Sequence, residues 1–308
     1  MIIVFGSLNI DLYMPLDTLP TAGSQATSLH DYDSYPGGKG ANQAFAAARA
    51  GAKTVMVGTI GDDGFGRRCT QNLKREGVLG SGIGTVNRPT GCALILPGSG
   101  EDKTVISSPA ANLESRSDQI PNEILTPEHT VVAQLLVPTA EIIDLFTRAR
   151  DRGTTTVLNA SPPQSITADL LKLTDLLVVN ETELKTAAQT LGHNENMENP
   201  SLMDILCEHY DLDCITTCGS QGVRAHIKGH RYTIQAAKID VKDVNGAGDC
   251  FIGYFLAMMD RGFDISAALH HAAMAGSIAC TARGAQSAVP FFEDVAARLE
   301  TLDPPVRM

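Results

Sequence analysis

Asp249 stands immediately behind a glycine-rich turn, in the run Asp243-Val244-Asn245-Gly246-Ala247-Gly248-Asp249. Two glycines in three residues let the chain turn tightly and leave its amides uncovered. Beyond them Phe251, Tyr254, Phe255, Met258 and Met259 recur at the spacing of one helix face, which puts the turn at a helix N-terminus. Unpaired N–H groups and a partial positive charge of about half a unit gather there and attract anions. An anion hole formed by Gly246, Ala247 and Gly248, with the carboxylate of Asp249 beside it as proton acceptor, suits the movement of a phosphoryl group onto a hydroxyl. Ordinary capping accounts for the same residues with no chemistry at all, since glycine before a helix and Asp in its first turn are common.

A second glycine segment, Gly37-Gly38-Lys39-Gly40-Ala41-Asn42-Gln43, lies about 200 residues earlier and precedes another helical pattern. It is not a P-loop, because Lys39 is followed by Gly40 rather than by Ser or Thr. Its glycines would let the backbone approach a ligand closely, with Lys39 and Asn42 offering donors to sugar hydroxyls. A helix start with a solvated lysine is the plainer alternative.

Positioning both segments takes a substantial fold. The chain has 308 residues, 43% hydrophobic and 19% charged, which fits one large globular unit or slightly more. Its net charge of −11 repels nucleic acid and anionic membranes, so neither is expected as a partner. The opening Met1–Gly6 reads as a first strand rather than a leader, and no apolar run is long enough to span a bilayer. Seven irregularly spaced cysteines fit reduced, mostly buried thiols of a cytoplasmic protein.

Strand candidates are Ile2–Phe5, Thr54–Val57, Val131–Ala133, Thr155–Leu158, Leu176–Val179 and Cys214–Thr217. Between them fall helix candidates Ala41–Ala50, Phe65–Glu76, Thr139–Arg152, Glu181–Thr190 and Ser201–His209. The alternation predicts an α/β fold whose mainly parallel central sheet carries helices on both faces. Leu12–Pro36 lacks a helix, and Cys92–Ile106 reads as a hairpin about a Pro-Gly-Ser-Gly turn. Together they predict a small discontinuous β lid over residues 12–36 and 92–106, on a main unit of 1–11, 37–91 and 107–308. Gly192–Pro200 reads as a polar loop. Ligands of such sheets gather beyond the carboxyl ends of the strands, where the polar residues of several turns can converge.

The two glycine segments, in this order, resemble the phosphofructokinase-B-type carbohydrate kinase superfamily, and within it the ribokinase family is the nearest pattern. Asn9-Ile10-Asp11 is similar to its early Asn-x-Asp substrate element, and Gly58 to Gly66 to its Gly-x-x-Gly-x-Asp-x-x-Gly element. Asn180-Glu181-Thr182-Glu183 resembles its Asn-x-x-Glu motif, Gly219-Ser220-Gln221-Gly222 its nucleotide-side turn, and Arg283-Gly284-Ala285-Gln286 closes the set. The resemblance spans nearly the whole chain.

It implies a ribokinase-like fold and ATP-dependent phosphorylation of a primary sugar hydroxyl, ribose first among candidates. Asn9, Asp11, Gly38, Lys39 and Asn42 would hold the sugar, with Asp249 as the base facing the reacting hydroxyl. Asn180, Thr217, Gly219, Gly222 and Gly248 would bind the nucleotide. Glu183 would hold Mg²⁺ through water. Asp243, Asn245, Ala279, Ala282 and Gly284 would surround K⁺ or another monovalent cation, mostly through main-chain carbonyls. Capping explains Asn180 and Glu183 equally well, a plain turn explains Gly219–Gly222, and Asp243 could be a surface acid. Unshielded strand edges on the lid suggest a homodimer formed through it.

Four positions depart from the pattern. Leu136, in Gln134-Leu135-Leu136, stands where ribokinases present a Glu to a sugar hydroxyl, and Ala288 where a serine often joins the monovalent ion. Tyr254 occupies a place expected to be small, and Ala110-Ala111-Asn112 lacks a glycine usual before that Asn. The first departure keeps other carbohydrates and nucleosides open as substrates. The few aromatics, 5% with no Trp, give little material for stacking a base. A sugar-binding regulator without turnover is the alternative from another class, opposed by the intact Gly246–Asp249 run. His270 and His271 read as packing or surface, and no Gly-x-Ser-x-Gly elbow surrounds Ser7, Ser161 or Ser220.

Overall fold

The computed structural model describes residues 1–16, 18–97, 103–164, 166–192 and 198–308. Its strands are β1 Ile2–Phe5, β2 Asn9–Tyr13, β3 Asp33–Gly37, β4 Thr54–Gly61, β5 Leu79–Val86, β6 Gly91–Pro97 and β7 Lys103–Ser108, then β8 Thr130–Gln134, β9 Thr155–Asn159, β10 Leu176–Asn180, β11 Asp213–Thr217, β12 Val223–Ile227, β13 His230–Ile234 and β14 Val306–Arg307. The helices are α1 Lys39–Arg49, α2 Gly64–Arg75, α3 Thr139–Arg150, α4 Ala168–Lys172, α5 Glu181–Thr190, α6 Asn199–Tyr210, α7 Ala247–Asp260, α8 Ile265–Ala279 and α9 Phe292–Ala296.

Among the described residues the main sheet runs in the order β14-β13-β12-β11-β10-β9-β8-β1-β4-β5. The pairs from β11 through β5 are parallel, while β12, β13 and β14 add on antiparallel at one edge. Both faces are covered, so the central strands read as continuous apolar runs such as Ile2-Ile3-Val4-Phe5. Alternation along β1 divides the core: Ile2 and Val4 pack with α1, α7 and α8, whereas Ile3 and Phe5 pack with α3 to α6.

The expected strands and helices are all present, with helix ends shifted by less than a turn. β5 and the antiparallel edge were not foreseen; glycine-rich Leu79–Val86 and the short polar β14 lack an apolar alternation. The Gly98-Ser99-Gly100 part of the predicted hairpin turn, and most of the 192–200 loop, lie outside the described residues.

A smaller sheet, β3-β2-β6-β7, is the structure's counterpart to the expected lid. Its boundaries differ from the predicted 12–36 and 92–106. β2 already begins at Asn9, β3 runs through Gly37, and β7 extends to Ser108. Asn9 and Asp11, assigned from sequence to the main unit, are therefore on a strand of the small sheet. Polar alternation hid this strand, since Asn9 and Asp11 are buried acceptors rather than apolar residues.

Candidate active site

A cleft of about 1080 Å³ opens between the small sheet and the carboxyl ends of the main strands. Lys39 and the Gly246–Asp249 turn line it together. The direct link is through hydrogen bonds. Asn42 Nδ2 donates to Asp249 Oδ2 and Gln43 Nε2 to Asp249 Oδ1, each at 3.0 Å.

Helix packing sets that geometry. Asp249 and Gly253 are one turn apart on α7 and share a face. A Cβ at Gly253 would come within 2.6 Å of the Gln43 carbonyl and 2.8 Å of the Ala47 amide of α1. Only glycine lets the two helices approach so closely, and this approach brings the Asp249 carboxylate onto Asn42 and Gln43. The predicted apolar stripe proves too narrow a description, because α7 is buried along nearly its whole length between α1 and α8.

Asp249 is 7% exposed, and the supports of its carboxylate are themselves held. Gln134 Nε2 donates to Gln43 Oε1 at 2.7 Å, Gln43 Nε2 also reaches Asn159 Oδ1 at 3.1 Å, and Gln286 Nε2 donates to Asn42 Oδ1 at 3.1 Å. Gln43, Gln134, Asn159 and Gln286 form a positioning layer; Asn159 follows a strand candidate, as expected of a cleft residue, whereas the sequence assigns no role to Gln43, Gln134 or Gln286 although each stands in one of the motifs above. Two of about four acceptor sites on the Asp249 carboxylate are used, which leaves capacity for a substrate hydroxyl.

At the turn itself Gly246 has φ of 80° and caps α7. First-turn amides have no intrahelical partner, although the Ala247 amide reaches the Val244 carbonyl at 3.3 Å. Gly38 caps α1 with φ of 90°, and a Cβ there would lie 2.7 Å from the Ser7 carbonyl. That contact holds the start of α1, with Lys39, against the β1–β2 junction. Asn9 Oδ1 receives Asn112 Nδ2 at 2.8 Å, and Asn112 Oδ1 accepts from the Leu8 amide at 2.8 Å. Asp11 accepts from Asn245 Nδ2 at 3.3 Å.

Asn180 and Glu183 form a reciprocal capping box, with Asn180 N donating to Glu183 Oε2 and Glu183 N to Asn180 Oδ1, both at 2.8 Å. Both residues also line the cleft, as do Thr217 and Gly219. Gly222 has a packing reason of its own, because a Cβ there would sit 2.0 Å from the Ile234 carbonyl. Asp243, far from being a loose surface acid, accepts from Tyr13 Oη at 2.6 Å, the Asn245 amide at 2.9 Å and the Gly284 amide at 3.3 Å. The segment is tied to the end of α8 by the Lys242 and Asp243 amides on the Cys280 carbonyl. Ala279 is the last residue of α8, and Ala282 lies between Cys280 and Gly284.

The profile of the pfkB family carbohydrate kinases matches residues 1–291. The chain belongs to this family. It is 31% identical over 303 residues to a ribokinase of Lactococcus lactis, with 97% of each chain covered. A ribokinase of Staphylococcus aureus is 30% identical over 298 residues, covering 96% of this chain and 98% of that one. Among solved structures, Thermotoga maritima ribokinase superposes with a TM-score of 0.88 at 26% identity, covering 97% of this chain and 99% of that chain. Arabidopsis thaliana ribokinase complexed with ribose and ATP gives 0.86 at 26%, covering 97% and 98%.

The departures of this pfkB kinase find physical places. Leu136 lines the cleft. Tyr254 is wholly buried and donates to the Pro290 carbonyl at 2.8 Å, and burial pushes its phenol pKa up. Ala110 takes φ of 45°, a left-handed conformation in which glycine would be unstrained. His271 is buried against Phe263 and Phe292, and burial pushes its pKa down. All seven cysteines are free, and no described helix is long and apolar enough to cross a membrane.

Proposed function

We propose that this chain transfers the γ-phosphoryl group of ATP to the primary hydroxyl of a sugar, converting D-ribose to ribose 5-phosphate. The observation that carries the reading is the two-point grip of Asn42 and Gln43 on Asp249, which aims a buried carboxylate into the cleft beside an uncovered helix start. Asp249 Oδ accepts the proton of the attacking hydroxyl. The amides at the start of α7 stabilise charge on the phosphoryl oxygens as it develops. Asn9, Asp11, Gly38, Lys39 and Asn42 hold the sugar hydroxyls, and Asn180, Thr217, Gly219, Gly222 and Gly248 line the nucleotide end.

Glu183 is a buried carboxylate on the cleft wall, a donor set of the sparse oxygen kind that suits Mg²⁺ bound mainly by water and phosphates. Glu183 would hold the ion there, and the ion would supply positive charge against the phosphates. Asp243 has three protein donors on a carboxylate with about four acceptor sites, so one site remains for a monovalent cation, K⁺ by preference. Asn245, Ala279, Ala282 and Gly284 would supply the other oxygens of that site. Reduced thiols and ATP chemistry favour the cytoplasm as its compartment, and the small sheet pairs with its copy in a homodimer.

A second reading, another carbohydrate in place of ribose, is favoured by Leu136, because a buried hydroxyl facing leucine is left unpaired. The test is ATP consumption over a sugar panel, adenosine included, by wild type and Asp249→Asn. Loss of the base lowers kcat by about 10²–10⁴-fold. Comparable turnover by the variant removes Asp249 from its role, and turnover best on a sugar other than ribose selects the second reading.

A further inference from the structure

Two residues of β2 reach across the molecule to two residues of the segment that leads into α7. Asp11 and Tyr13 alternate onto one face of the strand. Asn245 Nδ2 donates to Asp11 Oδ2 at 3.3 Å, and Tyr13 Oη donates to Asp243 Oδ2 at 2.6 Å. The result is a ladder of two rungs between the small sheet and the residues immediately before Gly246. Its second rung is short, partly buried and charge-assisted, the stronger kind of hydrogen bond.

The surroundings reinforce that rung. Tyr35, on the neighbouring strand β3, meets Tyr13 edge to face with ring centroids 5.5 Å apart and planes at 90°. The Tyr35 ring also fills the space beside Gly284, where a Cβ would fall 3.0 Å from Tyr35 Cδ1. The Gly284 amide donates to the same Asp243 oxygen that Tyr13 reaches. One carboxylate thus fastens three pieces together: β2 of the small sheet, the 243–245 segment and the loop after α8.

We infer that Tyr13 is a positioning residue that transmits the seating of the small sheet, through Asp243, to the amides at the start of α7. The inference rests on the proposed kinase reading for its catalytic consequence but not for its structural one. With the phenol in place, the 243–246 backbone is fixed before the phosphoryl group arrives, which is the condition for amides to stabilise a developing charge without reorganising. Without it, Asp243 loses a buried donor and the turn gains freedom, while the ring contact to Tyr35 persists. Because Asp11 shares the strand and the ladder, a sugar held at Asp11 tightens the same segment.

Tyr13→Phe keeps the ring and deletes only the rung. Amide hydrogen exchange of the full chain, free and with ribose, is expected to speed up over residues 243–248 by about tenfold in the variant. Ribose is expected to slow exchange there in wild type and not in Tyr13→Phe. On activity, kcat is expected to fall by about tenfold with the KM for sugar changed less than about twofold, the pattern of an interaction that matters in the transition state. Unchanged exchange at 243–248 together with unchanged kcat overturns the strut. Absence of ATP turnover in the wild type overturns the kinase reading instead, and the exchange comparison of the unliganded proteins still decides the role of Tyr13. If Tyr13→Phe lowers the whole stability and protection falls everywhere alike, the phenol is a packing group and the strut is overturned as well.

Discussion

Gly246 and Gly248 sit two positions apart and are glycines for different reasons. At Gly246 the backbone has φ of 80°, and an added Cβ would press to 2.6 Å on Ala285 Cβ and 2.8 Å on its Cα. The protein itself demands glycine there. At Gly248 the backbone is helical and an added Cβ would meet no atom of the described residues within 4 Å beyond its own chain neighbours. Glycine within a helix costs about 1 kcal/mol relative to alanine, so a position with free space and no strain is glycine for the sake of something outside the chain. Gly248 lines the cleft, and a nucleotide phosphate is the proposed occupant. Gly248→Ala is therefore expected to raise or preserve the thermal midpoint while raising the KM for ATP by about tenfold or more. Gly246→Ala is expected to lower both the midpoint and kcat. Thermal melts beside ATP titrations separate the two, and an unchanged KM in Gly248→Ala would show that no phosphate approaches that residue.

Elements carry the next level of explanation, and the Gly58–Gly66 run illustrates it. The run carries part of the family resemblance without an assigned role, and its acid works within the fold. Asp63 caps α2, receiving the Gly66 amide at 2.8 Å, and it binds the Thr90 amide at 2.8 Å and the Thr90 hydroxyl at 2.7 Å. These bonds hold α2 to the chain entering β6. Partial burial works to raise the Asp63 pKa, but the donors from Thr90 and Gly66 outweigh it, and the folded value lies below the ordinary one. A carboxylate with a depressed folded pKa contributes stability above its unfolded pKa, about 4, and loses it as pH falls through the lower folded value. Asp63→Asn keeps an acceptor but no charge. Wild type is expected to melt higher than Asp63→Asn at pH 7, with the gap closing below about pH 4. Thermal midpoints measured from pH 7 to pH 3 check this, and a gap independent of pH would mean that the charge contributes nothing. Helices and strands of this kind were legible in sequence because apolar periodicity marks them. The small sheet was legible only in outline, since its first strand spends Asn9 and Asp11 on hydrogen bonds rather than on apolar packing.

At the scale of the whole molecule, the convergence of two distant glycine segments was readable from their pattern. The layer that makes the convergence work was not. Gln43, Gln134, Asn159 and Gln286 carry no periodicity, and only the approach of α1 to α7 at Gly253 brings them onto one network. The same limit applies to assembly, where sequence offered unshielded strand edges and apolar lid faces but not which side chains stand exposed. In the structure the segments forming and flanking the small sheet expose Leu29 at 84%, Tyr32 at 65% and Ile106 at 57%. Among the described residues β7 is also an edge strand of that sheet. Large apolar side chains beside an open strand edge favour pairing with a second copy, because association buries the side chains and satisfies the edge amides. A homodimer through this surface would brace the same sheet that holds Asp11 and Tyr13 against the residues before α7. Sedimentation velocity at micromolar concentration is expected to give a dimer for wild type and a monomer for Ile106→Lys, which sets like charges against each other across a two-fold interface. The monomer is further expected to bind sugar more weakly, since the unbraced sheet seats less often over the cleft. A monomeric wild type would sink the dimer, and a monomeric variant with undiminished sugar affinity would show that the sheet closes without a partner.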